Sequence, residues 1–352
     1  MNVSHVIEEL VEERGLDKET LTGVVCEGIK AAYEKKYPTL VFSVEQDSKT
    51  GEVTIQAKMK VVSQVENDLE EISLRKARAI KKSAEIGDEI EVPFEGQIGR
   101  IEILKAKQII AQRIRDIEAS LIYEQFKDKV DTIVHGPVHK TERAGVVIKL
   151  GDALGFLPRS LMIPQETCPV GHTVKALLKE VLEEPRHENQ LILDRASAEF
   201  VAKLFELEIP EVFEKIVEIK KIVRSPGYKT KVVVDSREEN IDPVGTCIGV
   251  GGARIKPILR ELGSEKIDVI RDTHSREELI RNSLKPAVVN RVEIIDDENA
   301  HVWVDEDQRS LAIGKNGQNI ALASKLTGLT LTIIKPEESE EAEVEEFQEL
   351  ET

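Results

Sequence analysis

The sequence predicts a multidomain α+β protein: a helical and β-stranded N-terminal domain with a long connecting helix, a small β-barrel and two tandem αββααβ modules. Three patterns support this prediction. A long helical repeat precedes a region of short strands, and two glycine loops with matching flanks follow it. A chain of 352 residues is long enough for several domains, and an aromatic content of 4% favours small cores over a large ligand pocket.

Composition limits the classes of function. The three cysteines, Cys26, Cys168 and Cys247, show no Cys-x-x-Cys spacing, which favours a reducing compartment without a disulfide or zinc framework. The N-terminal stretch Val3–Arg14 is polar and acidic, and no apolar run reaches the roughly 20 residues of a membrane span. We therefore expect a cytoplasmic protein without a membrane attachment.

The negative charge is unevenly distributed. The net charge is -17, but residues 336–352 hold nine glutamates and no basic residue, whereas residues 220–335 hold 19 Lys/Arg against 17 Asp/Glu. The C-terminal modules are thus neutral to slightly basic, and the total charge does not exclude nucleic acid. Residues 337–352 are expected to form an acidic disordered tail, because they carry too few apolar side chains to fold alone.

The N-terminal domain is expected over residues 1–127. Helical periodicity, a hairpin pattern and a second, basic helix follow one another before a long helical stripe, whose charged side fits either a solvated face or a docking surface. The predicted elements are a helix over 17–34 capped by Asp17, strands Val41–Glu45 and Val53–Ala57 around a turn at 47–51, a helix over Leu74–Ala84, a strand near 87–93 and a helix from Arg100 to Phe126 with a stripe of Ile103, Ala106, Ile110, Ile114, Ile117 and Leu121.

Residues 128–197 change to short strands separated by glycine and proline turns, which predicts a small closed barrel of the OB type. Such barrels hold single-stranded nucleic acid on aromatic and cationic side chains. Arg143, Phe156 and His172 are the candidates here, although Phe156 fits a core position equally well. The predicted strands are Thr132–Val138, Val146–Leu150, Ala153–Leu157, Val174–Leu178 and Leu191–Asp194.

Two glycine loops, Gly249-Val250-Gly251-Gly252 and Gly314-Lys315-Asn316-Gly317, stand 65 residues apart. The glycines that close the next helix, Gly263 and Gly328, share this offset, as do Asp242 and Asp307 ahead of the loops, so the module is duplicated. KH domains clamp a nucleic-acid backbone with a Gly-x-x-Gly loop. Glycine permits close approach, and the following helix N-terminus favours phosphate.

Each copy shows the order of a type II KH domain, with the glycine loop between paired helices. We expect the first module over 198–275 and the second over 276–336. The predicted elements of the first are Glu211–Val217, Ile219–Val223, Lys231–Asp235, Pro243–Ile248, Ala253–Leu262 and Lys266–Ile270, and those of the second are Arg276–Leu284, Arg291–Ile295, His301–Asp305, Arg309–Ile313, Gln318–Leu326 and Leu329–Ile334.

The sequence gives no support for an enzyme. No P-loop is present, and His135, His139, His172, His187, His274 and His301 show no metal-binding spacing. The acidic residues at 296–298 and 305–307 fit a hairpin turn and a helix entry better than a metal site. We therefore expect no catalytic residue, no metal and no cofactor.

The order of domains resembles the bacterial NusA family of transcription elongation factors over residues 1 to about 335. The resemblance is most specific in Asp242-Pro243-Val244-Gly245-Thr246-Cys247-Ile248-Gly249, Gly252-Ala253-Arg254-Ile255 and Ala312-Ile313-Gly314-Lys315-Asn316-Gly317-Gln318-Asn319, and it extends to Ala31–Tyr37, to the helix around Ala106–Ile110 and to Leu193-Asp194-Arg195 at the end of an S1-like barrel.

The resemblance implies a monomer whose N-terminal domain docks on RNA polymerase and whose S1-KH-KH unit takes the nascent single-stranded RNA. It also implies other elongation and antitermination factors as partners, and effects on pausing, intrinsic termination and antitermination. The rival function is that of a ribosome-associated or exoribonuclease-linked S1/KH protein. In those exoribonucleases KH precedes S1 behind catalytic domains, an order that this chain does not show.

The chain departs from the family pattern in its first loop and in its tail. Family members usually carry a basic residue where this chain has Gly251. We therefore expect the first module to depend on Arg254 and Lys256, and the second, with Lys315, Gln318 and Asn319, to be the stronger clamp. The C-terminal acidic repeat domains of some family members are replaced by the glutamate tail, which could weakly shield the KH face.

Overall fold

The computed structural model describes residues 8–9, 11–12, 16–47, 52–186 and 189–334. The chain divides into two compact units, residues 1–121 and 122–352. Four sequence predictions fall wholly or mainly outside the described residues: the N-terminal stretch before Leu16, the hairpin tip at 48–51, His187 and the acidic tail.

The first unit combines helices with a four-stranded sheet. The predicted hairpin is confirmed, since β1 and β2 pair antiparallel with Gln46 opposite Val53. Around this sheet the rings of Tyr33, Phe42 and Phe94 pack edge-on or tilted, with centroids 5.1 to 6.1 Å apart. The elements are α1 (Lys18–Lys36), β1 (Phe42–Gln46), β2 (Val53–Val62), β3 (Glu71–Ser73), α2 (Leu74–Ile80), β4 (Glu89–Pro93) and α3 (Arg100–Phe126).

Asp17 caps α1 as predicted, because its carboxylate accepts a hydrogen bond from Thr20 N. The helix α3 has the predicted bounds, but its apolar stripe is buried only in the middle. Ile114 packs with α1, whereas Ile103 at one end of the stripe is 41% exposed. The stripe prediction is therefore wrong at its ends, because periodicity marks a helix face and not how much of it finds a partner.

The second unit begins with a closed five-stranded barrel in the order β5-β6-β7-β9-β8. The five predicted strands are confirmed, and the interior is filled by fully buried aliphatic residues such as Ile148, Leu157 and Leu191. The assignment of this barrel to the S1 type stays a prediction. Its strands are β5 (Ile133–Thr141), β6 (Gly145–Leu150), β7 (Ala153–Pro158), β8 (Thr173–Arg186) and β9 (Asn189–Asp194).

Two three-stranded sheets of identical topology follow the barrel. In each, the first two strands are antiparallel and the third runs parallel to the middle strand, as a duplicated type II KH module requires. The first module, KH1, contains α4 (Ala198–Glu208), α5 (Pro210–Phe213), β10 (Val217–Ser225), β11 (Lys229–Ser236), α6 (Pro243–Ile248), α7 (Ile255–Leu262) and β12 (Lys266–Arg271). The second, KH2, contains α8 (Arg276–Ser283), β13 (Arg291–Ile294), β14 (Asn299–Trp303), α9 (Glu306–Ile313), α10 (Gln318–Thr327) and β15 (Thr330–Ile334).

The first helix of KH1 differs from the prediction of Glu211–Val217. The leading helix is α4, which Ser197 caps and whose Phe200 and Phe205 are fully buried in the module's core. Pro210 then starts the short α5, and Val217 already belongs to a strand. The predicted bounds are wrong because proline restarts the helix, while the apolar face that anchors it lies earlier in the chain.

Buried arginines join the barrel to KH1. Arg195, which follows β9, donates to Glu166 of the barrel at 2.9 Å and to Glu261 of KH1 at 2.6 Å. Arg224 donates to both oxygens of Glu265 at 2.9 Å and to the carbonyl of Arg195 at 2.7 Å. Such forked ion pairs fix orientation as well as distance, so the barrel and KH1 are held in a defined geometry.

No helix among the described residues is long and apolar enough to span a membrane.

Candidate nucleic-acid interface

The first glycine of each loop is required by the fold itself. Gly249 has φ 72° and ψ 166°, and Gly314 has φ 73° and ψ 175°, a region open essentially to glycine alone. A Cβ on Gly249 would lie 2.9 Å from Arg254 Cγ, and one on Gly314 would lie 2.6 Å from Asn319 Cβ. The close approach of nucleic acid is therefore not the nearest constraint on these two glycines, because the residues that follow the loop already exclude a Cβ there.

The last glycine of each loop faces open space. Gly252 has φ 77° and Gly317 has φ 71°, so both favour glycine by conformation. A Cβ on Gly317 would meet nothing within 4 Å, and one on Gly252 would only touch the aliphatic stem of Lys256 at 3.4 Å. At these glycines the loops therefore leave room for a sugar-phosphate backbone.

The two residues between the glycines give the loops equal backbones but different charge. The third position is left-handed in both, with φ 61° at Gly251 and φ 55° at Asn316. At the second position Val250 is 97% exposed, and Lys315 is also exposed. The structure therefore brings a cation to the second loop and an apolar side chain to the first, in the same geometric place.

Arg254 and Asn319 occupy equivalent places, 65 residues apart, and both fasten the loop from behind. Arg254 donates to the carbonyl of Thr246 at 3.0 Å, and Asn319 donates to the carbonyl of Leu311, which is equivalent to Thr246, at 3.2 Å. Each therefore holds the end of the helix before the loop against the start of the helix after it.

Both residues use their polar groups within the protein, and their predicted contact with RNA stays a prediction. Asn319 is 2% exposed, and its amide also donates to the carbonyls of Leu284 and Ala312, so its side chain is turned away from solvent. The guanidinium of Arg254 is paired with Glu211 at 2.8 Å, and this carboxylate opposes its positive charge beside the loop. The sequence could not reveal this, because Glu211 lies on a different element.

Lys256 is left as the exposed cation beside the first loop. It is the second residue of α7, and its stem passes Gly252. In the second module Gln318 begins α10 and is half-buried. The cations nearest to the two loops therefore come from different positions, Lys256 after the first and Lys315 within the second.

The matching aspartates ahead of the loops do not play matching parts. Asp242 caps α6 by accepting hydrogen bonds from Val244 N and Gly245 N. Asp307 instead lies in the first turn of α9, which begins at Glu306 and has eight residues against six in α6. The shared spacing of the two aspartates is thus not a shared function.

The barrel residues predicted to contact RNA lie in two places. Phe156 alternates with the inward-facing Leu157, and its ring covers Gly145 at the start of β6, so it faces outward and the core alternative is wrong. Arg143 is exposed in the turn just before Gly145. His172 is exposed at the entrance to β8, opposite Val138. Arg143 and Phe156 thus share one end of β6, while His172 belongs to another edge.

Known proteins resemble the chain along most of its length. Family models match the NusA N-terminal domain over residues 2–120, the NusA-like first KH domain over 195–272 and the NusA-like second KH domain over 276–341. The chain is 36% identical to the transcription termination/antitermination protein NusA of Thermus thermophilus, a match that covers 97% of this chain and 90% of that protein.

Two further relatives with the same description support this result. The protein of Rickettsia conorii is 34% identical over 99% of this chain and 70% of its own length. The protein of Bacillus subtilis is 32% identical over 97% of this chain and 96% of its own length. The similarity therefore includes the first unit, the barrel region and both modules.

Proposed function

Because the chain belongs to the NusA family of transcription termination/antitermination proteins, we propose that it binds RNA polymerase and the nascent transcript together. RNA would be held by the barrel, KH1 and KH2, and the first unit would dock on the polymerase. This activity is binding without chemistry: phosphate contacts position the strand, and unstacked bases are read at their edges. A factor with this role in bacteria works in the cytoplasm.

The duplicated loop is the observation that carries the RNA-binding part. Two loops of equal backbone conformation each open toward solvent at Gly252 and Gly317, beside Lys256 and Lys315. Close approach of a backbone to glycine, next to a cation and a helix start, is the geometry that suits a phosphodiester. We assign the stronger electrostatic contact to Lys315, because Arg254 already forms an ion pair with Glu211.

A charge substitution in the second loop tests this assignment. Lys315→Ala should weaken binding of a single-stranded RNA oligonucleotide and reduce the slope of log Kobs against log[salt] by about 0.7, the value for one phosphate contact on a single strand. Lys325→Ala removes an exposed lysine from the last turn of α10, away from the loop, and serves as the control. Equal losses in both variants, or no loss at Lys315, would contradict a clamp at this loop.

The polymerase-binding part rests on the match of residues 2–120 to the family's N-terminal domain. A pull-down of bacterial RNA polymerase with residues 1–127 is the direct test, and circular dichroism shows whether this fragment is folded. Retention of the polymerase by the folded fragment is expected. A folded fragment that retains none would refute the docking proposal and leave RNA binding standing.

Incubation of the full chain with RNA and Mg²⁺ or Mn²⁺ separates binding from hydrolysis. We expect intact RNA, since the proposed role needs no bond cleavage. Cleavage that co-purifies with the protein through two chromatographic steps would favour the nuclease alternative.

A further inference from the structure

Each KH sheet has one face that its own helices leave free. In KH1 this face is covered by KH2. KH1 carries its helices on one side of its sheet, and KH2 packs against the other side. There Val233 and Ile270 form a buried cluster with Leu326 of α10, and Lys221 Nζ donates to the carbonyl of Leu326 at 2.7 Å. An apolar pair beside a cation thus seats the end of a helix.

Strand pairing places the same chemistry on the KH2 sheet. In KH1, Val233 stands between Lys221 and Ile270 on the neighbouring strands. In KH2, Trp303 stands between Arg291 and Ile334. His301 lies on the same side, and we call Arg291, His301, Trp303 and Ile334 the Trp303 face.

The Trp303 face is assembled but not buried by the described residues. The Arg291 guanidinium lies 5.0 Å from the centre of the Trp303 ring, and the His301 ring lies 5.9 Å from it. The Arg291 side chain is 58% exposed and pairs with Glu293 at 3.0 Å, and Trp303 and Ile334 are half-buried. None of these residues belongs to the KH2 core, which is built from Ala300, Val302 and their neighbours on the opposite side of the sheet.

The indole N–H of Trp303 also has no hydrogen-bond acceptor among the described residues. Its Nε1 is buried, and no described residue accepts from it. A buried N–H donor is normally paired, so such a group points to an acceptor that the described part of the chain does not supply.

The sequence supplies a matching segment directly after this face. β15 and the described residues end at Ile334, the neighbour of Trp303 on the Trp303 face. Val344, Phe347 and Leu350 then recur every third residue among nine glutamates. Apolar side chains at this spacing form one stripe on a helix, and the glutamates complement Arg291.

We propose that residues 342–350 of the same chain dock on the Trp303 face. Val344, Phe347 and Leu350 pack on Trp303 and Ile334, and the glutamates join Glu293 as partners of the exposed Arg291 guanidinium and accept from Trp303 Nε1. Connection through fewer than ten residues gives this contact a high effective concentration, so modest affinity is sufficient.

Docking there differs from shielding of the RNA-binding loop. The loop Gly314–Gly317 joins α9 and α10, which pack on the core side of the KH2 sheet, whereas the Trp303 face is on the other side. The docked segment therefore keeps its glutamates on the side of the sheet away from the helices and leaves the loop open.

Trp303 is the chain's one tryptophan, so fluorescence excited at the long-wavelength edge, where the four tyrosines absorb little, reports on this face. We compare the full chain with a chain that ends at Lys335, both without RNA. Removal of the segment should shift the emission maximum to longer wavelength and increase the acrylamide quenching constant about twofold or more. The full-length variant with Val344, Phe347 and Leu350 all replaced by Ser should reproduce the change.

A matched variant with Glu337, Glu338 and Glu340 replaced by Ser should keep the emission of the unmodified chain, since it retains the apolar stripe. Unchanged emission and quenching after truncation would overturn the proposal. A change that depends on protein concentration would also overturn it, because it indicates a second copy on the face. So would added RNA that quenches the full and the truncated chain equally, because this indicates that the face binds RNA.

Discussion

At the scale of single residues, the glycines of one loop have different physical tasks. Gly314 lies in a glycine-only conformation, and a Cβ there would clash with Asn319. Gly317 is left-handed, and a Cβ there would meet no atom within 4 Å. Asparagine and aspartate tolerate the left-handed region better than other residues. The loop can therefore be altered at its last position without breaking the module.

We expect Gly317→Asp to lower RNA affinity several-fold at a stability cost of about 1 kcal/mol, because it places a carboxylate where a phosphate would approach. Gly314→Asp should instead destabilise KH2 by more than about 3 kcal/mol, since strain and a clash add. Thermal unfolding combined with RNA titration separates the two effects. Equal destabilisation by both variants would contradict the different tasks.

A second residue-scale feature is a buried lysine pair on the KH1 sheet. Lys229 and Lys231 both contact Asp268, at 3.0 and 2.8 Å, and the Lys231 side chain is fully buried. Burial lowers the pKa of Lys231, although Asp268 opposes that shift. Two lysine side chains thus share one carboxylate in the interior of the protein.

Lys231→Met should leave stability unchanged or raise it by as much as about 4 kcal/mol, because Lys229 keeps Asp268 paired. Asp268→Asn, the control, should cost about 3–5 kcal/mol. Between its lowered folded-state pKa and its unfolded-state value of 10.5, Lys231 binds fewer protons in the native state, so the stability of the unmodified protein rises with pH there. Chemical denaturation across that range should show the advantage of Lys231→Met shrinking as pH increases.

At the scale of elements, a forked ion pair within KH1 positions Arg224, which donates to the carbonyl of Arg195 at the junction of barrel and KH1. Glu265 is 2% exposed and accepts from Arg224 through both oxygens. Arg224→Ala should cost about 3–5 kcal/mol, because the carboxylate stays buried with fewer partners. Lys220→Ala, which removes an exposed lysine from the same strand, should have no measurable effect in calorimetry. A loss below about 1 kcal/mol, the range of an exposed ion pair, would contradict a structural role of this buried pair.

Elements defined by local periodicity were predictable, and partners distant in sequence were not. Alternation and helical spacing predicted the barrel strands, α3 and both αββααβ modules, because each pattern lies within one segment. The helix α4 was not predicted, although two local signals indicate it. These are the cap residue Ser197 and the helical spacing of Phe200, Val201, Leu204 and Phe205. The pairing of Arg254 with Glu211 and of Arg224 with Glu265 joins residues 43 and 41 positions apart, which no local pattern encodes.

At the scale of the whole molecule, the two loops act together only if KH1 and KH2 stay in register. Val233 is 3% exposed and belongs to the cluster between the modules, not to the core of either. Two linked binding modules gain avidity of about 10² to 10⁴ over either alone when their faces align. The module junction should therefore control affinity for long RNA more than stability of each module.

Val233→Glu buries a charge in this junction and should separate the modules while each keeps its own core. Affinity for an RNA long enough to reach both loops should fall by about 10²-fold, whereas affinity for an oligonucleotide that fills one module should change less than twofold. Val288→Glu, the same change at a KH2 valine that is 63% exposed, is the control. Fluorescence anisotropy with the two RNA lengths measures the difference, and an equal loss for both lengths would mean that Val233 supports a single site and not the coupling of two.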